Sequence, residues 1–216
     1  VLRRRQTAGV SDHPTSYRAF SADGHSARWT AWHPAETTAD SDARPGSNGD
    51  PSSNEEHLTL SWDNEAWTAS GIVQSHNVQY VMRLSASWQV RQFLLFRDMD
   101  EPDLWIGNDG GGRWGEMNGA HRPELDGCVD ISLACTPFTN TIAIRRLALH
   151  VGDAAEIIVA TVDVETLDIQ PVTQRYSRLD THRWKLEQMA TGESIEFDVD
   201  EFGLVIDYPS LFRRVD

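Results

Sequence analysis

Within HRPELDGCVD, residues 121–130, one imidazole and three carboxylates fall close together as His121, Glu124, Asp126 and Asp130. This is an inventory for acid–base catalysis, where one group gives a proton and another takes it, provided that their surroundings separate their proton affinities. The same spacing has a plainer reading. Asp126 precedes Gly127 and suits a turn, while Asp130 alternates with Val129 and Ile131 and so falls on the opposite face of a strand. An enzyme acting on amphiphilic or glycosylated substrates would draw on Asp130, His121 and Arg145.

Arg145 and Arg146 form a forked cationic pair suited to carboxylate or phosphate, or to acidic neighbours within the fold. Cys128 and Cys135 have too few soft ligands nearby for a metal site and read as buried free thiols, so neither a metal nor a cofactor is expected. NDGGGRWG, residues 108–115, is glycine-rich but lacks the Gly-Lys-Ser/Thr ending of a phosphate loop. Asp-Gly between apolar runs predicts a hairpin instead. The tryptophans, Trp114 among them, read first as core and sheet-face residues, some of which could line a cavity for a sugar or acyl chain.

The elements that must position these groups are mostly strands. Period-two alternation runs through residues 57–62, 78–84, 88–96 and 128–135, and again through EIIVATVDV and SIEFDV. In residues 88–96 it aligns Trp88, Val90, Leu94 and Phe96. ARWTAWH, residues 27–33, adds a first strand. TPFTNTIAIRR, residues 136–146, predicts the one helix, capped by Asn140 or Thr141 and running from Ile142 to about Leu149. The chain is therefore mainly β, an antiparallel sheet rolled or barrel-like, without the crossover helices of an α/β fold.

Residues 34–56 are polar and rich in Pro, Gly and Ser, which predicts a flexible insertion at the end of an N-terminal segment (1–56), followed by one large β domain (57–216) that takes in the strand at 27–33. A net charge of −14 argues against nucleic acid as a partner. No apolar run is long enough to span a membrane, and VLRRRQ is not followed by the apolar stretch of a secretory signal. With only two cysteines, a reduced, cytoplasmic protein is expected.

LDGCVDISLACTPFTNTIAIRRL, VTQRYSRL and DEFGLVIDYPSLFRRV, with DGGGRW upstream, together resemble the putative glycolipid-binding protein family, once a domain of unknown function. The resemblance covers roughly residues 57–216. It implies a spiral β-roll, a long antiparallel sheet wrapped around a single α-helix, often as a homodimer. The ligand it implies is a lipid or glycolipid bound without catalysis, and the matching segments nominate Arg145, Arg146, Asn140, Asp130, Trp114, Gln174 and Tyr176 as contacts. It also places residues 139–141 as the cap of a helix held inside the roll. The arginines on that helix then neutralise an internal acid, Asp130 first, or face the ligand. A dimerisation domain without ligand is the third reading.

Overall fold

A computed structural model describes residues 17–31, 55–98 and 100–215. Fourteen strands are found among them. The first seven are β1 (His25–Ala31), β2 (Glu55–Asp63), β3 (Ala66–Val73), β4 (Val78–Ser85), β5 (Val90–Phe96), β6 (Leu104–Asn108) and β7 (Trp114–Glu116). The other seven are β8 (Asp130–Leu133), β9 (Ala154–Val162), β10 (Ile169–Arg178), β11 (Arg183–Gln188), β12 (Ser194–Val199), β13 (Val205–Tyr208) and β14 (Phe212–Arg214). The helix α1 (Phe138–Leu147) lies between β8 and β9.

All fourteen strands join one sheet that is not closed into a barrel. Its order is two meanders placed side by side: β7 back to β1, then β14 back to β8. The seam is the antiparallel pair of β1 and β14, with Trp29 opposite Arg214. Neighbours are antiparallel except β8 and β9, which run parallel because α1 carries the chain over between them.

Alternation sets the inner face. Val78, Tyr80, Met82 and Leu84 of β4 are all buried, as the sequence pattern requires, and each apolar side chain removed from water is worth roughly 1.5–3 kcal/mol. In β5 the outcome differs from the expectation: Val90, Phe93 and Leu95 are buried, while Leu94 and Phe96 are only partly so. A register shift pairs Arg83 with Gln92 but Leu84 with Val90, so Arg91 is an extra residue that turns the rest of the strand over. The hairpin expected at the glycine run is present, since β6 pairs with β7 and Asp109 N–H bonds to Arg113 O at 3.1 Å.

The helix begins two residues before Asn140. Its first free amide, Phe138 N–H, is accepted by the Thr136 hydroxyl at 3.0 Å, and Ala148 closes it in the left-handed conformation at φ 47°. Asn140 and Thr141 are therefore not caps but buried members of the first turns. Phe138 and Ile142 pack into the core beneath β2 to β6, whereas Ala143 and Ile144 pack with Trp184, Phe197 and Val205 of the other meander. α1 thus ties both halves of the sheet together. β2 starts at Glu55, so the last two positions of the stretch read as insertion belong to the sheet; Trp32, His33 and residues 34–54 lie outside the described residues.

Candidate functional site: polar groups buried around the helix

Asp130 opens β8 and is completely buried. Arg146 meets it from the last turn of α1 with a forked contact, Nε to Oδ1 at 3.1 Å and a terminal nitrogen to Oδ2 at 2.8 Å. This is the acidic partner expected for the arginine pair. Burial raises the Asp130 pKa, and the Arg146 hydrogen bond and charge oppose that rise.

Beside this pair runs a chain of neutral polar groups. The Tyr176 hydroxyl is 3.0 Å from Asn140 Oδ1 and 3.3 Å from Gln174 Oε1, and Gln174 Nε2 reaches Ser132 Oγ at 3.5 Å. Tyr208 hydrogen-bonds to Asn140 too, although burial dominates and pushes its phenol up to about 12. Five of the seven nominated residues, Asp130, Arg146, Asn140, Gln174 and Tyr176, therefore lie in one region between α1, β8 and β10. Asn140 projects toward β10 because it lies within the helix rather than at its cap.

The other two go elsewhere. Trp114 is a core residue with its indole N–H on Cys128 O at 2.9 Å. Arg145 donates to the carbonyl oxygens of Arg18 and Phe202, and its guanidinium lies over the rings of Phe20 and Trp88. His121 pairs with Asp126 at 2.9 Å. Asp130, His121 and Arg145 are thus engaged with three separate sets of partners, and among the described residues no hydrogen bond or ion pair joins any two of them. Among the described residues, no group of three or more His, Cys, Asp or Glu side chains is arranged to hold a metal.

A second buried cluster was not foreseen. Glu56, 2% exposed, accepts hydrogen bonds on Oε1 from Tyr80 at 2.7 Å and Thr136 at 2.6 Å, while its Oε2 has no partner. Burial lifts its pKa from 4.5 to about 7, against the pull of the two hydroxyls. Glu56 also adds to the effect of burial on Cys135, whose thiol is pushed up to about 12.

Cys135 leads to open space. A cavity of about 450 Å³ lies where β9 turns into β10, with Cys135, Val162, Val164 and Val172 among its walls and Asp163 and Gln170 among its polar groups. Its size is that of a small-molecule site.

The family model described as "Putative glycolipid-binding" matches residues 49–214. The chain belongs to this family. A crystal structure of a DUF1089 family protein from Pseudomonas aeruginosa is similar to it, with 27% identity, a TM-score of 0.61 and coverage of 99% of this chain and 100% of that one. No curated protein matches this chain. In this family member, Glu56 lies inside the matched range, although its sequence neighbourhood, SSNEEH, is polar on every side. The signal that marks it is positional: two residues before Leu58, it shares the inward face of β2.

Proposed function

We propose that the chain is a non-catalytic binding protein for a lipid or glycolipid, built as a spiral roll around α1. The observation that carries this reading is the cavity beside Cys135, where valines form an apolar wall and acidic and amide side chains provide acceptors for sugar hydroxyls. Family membership supports the same ligand class. A homodimer is the assembly we favour, supported by apolar side chains left on the surface, such as Ile158 and Ile206. The two free, buried thiols fit a cytoplasmic setting.

Native mass spectrometry of protein mixed with dodecyl maltoside tests the reading. One bound amphiphile per chain is expected, with loss of binding in Val172→Trp, where the larger ring fills the cavity. Equal retention by the filled variant would overturn it.

A further inference from the structure

Near the C-terminal end of α1, Arg145 carries its charge into a wall of aromatic rings. Its guanidinium carbon is 4.7 Å from the centre of the Phe20 ring and 4.5 Å from that of Trp88. Its hydrogen bonds go to two carbonyl oxygens, those of Arg18 and Phe202, and its Nε is buried without a partner. Among the described residues no carboxylate lies within ion-pair distance of Arg145, whereas its neighbour Arg146 has Asp130. Burial holds the Arg145 pKa down at about 10, and the electrostatic influence of Tyr17 and Asp200 offsets this only in part. A desolvated guanidinium of this kind is matched better by a full anion with two oxygens than by carbonyl dipoles.

The segment that supplies one of those carbonyls is attached differently from the sheet. Residues 17–20 belong to no strand, and the backbone hydrogen bond joining them to the sheet's loops is Arg18 N–H to Glu201 O at 2.9 Å. The rest of the attachment is through side chains. Phe20 inserts among Trp67, Trp88 and Phe202, Tyr17 accepts the Trp184 indole N–H, and Arg18 pairs with Glu201 on the surface. Trp88 itself has φ +65°, a conformation that a bulky side chain adopts only when its surroundings impose it. Here it brings the indole against Arg145 and Phe20.

We propose that residues 17–20 cover a site for an anionic amphiphile, whose phosphate or carboxylate headgroup pairs with Arg145 and whose apolar chain replaces Phe20 among Trp67, Trp88 and Phe202. The covering segment is its own stand-in for that ligand. The carbonyl of Arg18 occupies the place of a headgroup oxygen, and the Phe20 ring that of the chain. The site is separate from the cavity beside Cys135, which adjoins the N-terminal end of α1, and it does not depend on that cavity being filled.

Calorimetric titration with dodecyl phosphate below its micelle-forming concentration, with inorganic phosphate and with dodecyl maltoside tests this proposal. Dodecyl phosphate is expected to bind wild type more tightly than inorganic phosphate does, and Arg145→Gln to weaken it by about tenfold or more, with Arg145→Lys intermediate. Amide hydrogen exchange in residues 17–20 should rise at saturation as the segment is displaced. Unchanged dodecyl phosphate affinity in a folded Arg145→Gln protein, equal binding of inorganic phosphate, or unaltered exchange at saturation would each overturn it. Should Arg145→Gln fail to fold, the exchange measurement on wild type decides alone. Dodecyl maltoside, being uncharged, is expected to bind both proteins alike, so failure of the Cys135 cavity reading gives a different pattern.

Discussion

The Tyr80 hydroxyl donates a 2.7 Å hydrogen bond to Glu56 in a part of the core where both side chains are shut off from water. Thr136 donates to the same carboxylate oxygen and accepts the amide proton of Phe138. The glutamate on β2 is thereby connected to the first turn of α1, where a negative charge is favourable. Burial acts against that charge, and it wins.

Stability should therefore depend on pH through Glu56. Below pH 4.5 the folded and unfolded chains both carry the proton. Between pH 4.5 and about 7 the unfolded chain releases it while the folded one retains it, so stability falls as pH rises and levels off above the folded value. The size of the fall is about 3 kcal/mol. Urea denaturation across this range should show wild type declining relative to Glu56→Gln; parallel curves would refute the assignment.

Arg146→Met removes the cation from Asp130 and leaves a buried carboxyl group without its partner, at an expected cost of about 3–5 kcal/mol. Adding Asp130→Leu should recover most of that loss, because the uncompensated group is then gone. A double variant no more stable than Arg146→Met alone would show that the damage is to packing.

Gly71→Ala tests the wall behind Tyr80. A Cβ at this position would stand 2.1 Å from Tyr80 Cζ, so the ring must move away from Glu56 or the strand must shift. Destabilisation of about 1–3 kcal/mol or more is expected by thermal melting. Tyr80→Phe leaves the ring's bulk but removes its hydroxyl, and should relieve little of it.

Thiol labelling at pH 8 should find both cysteines inert in the folded chain. Burial is the main cause at each, raising Cys128 to about 11 and Cys135 to about 12, so almost no thiolate is present. Both should react at once in denaturant. Rapid labelling of Cys135 alone in native buffer would mean that the cavity beside it opens to solvent.

Much of the sheet was legible because β4 and β12 alternate in the plain manner of strands with one buried face. β3 was harder to find, since Ala69 and Gly71 occupy inward positions and blunt the pattern. Gly71 is small because the Tyr80 ring lies against it, a contact between strands that a single segment does not reveal. The pairing of Arg146 with Asp130 followed from the cost of burying a guanidinium beside an acidic strand. The helix start did not, because its amide is served by Thr136, the first hydroxyl of that stretch and four residues ahead of Asn140, where the cap was expected. Glu56 was hidden for a related reason: a glutamate next to a polar insertion looks solvated until β2, β4 and the turn before α1 converge on it.

The seam between β1 and β14 bears on how the molecule is made. Each meander pairs neighbours in sequence, so β1 to β7 can assemble while the chain is still being synthesised. The two halves join side by side only when Phe212–Arg214 has left the ribosome, since these residues face Ala31, Thr30 and Trp29. Until then β1 presents an unpaired edge in the middle of what will be the sheet, open to strands of other nascent chains. A ribosome stalled just short of Phe212 would display that edge for as long as the pause lasts, and chaperone demand during synthesis should be greatest at that point.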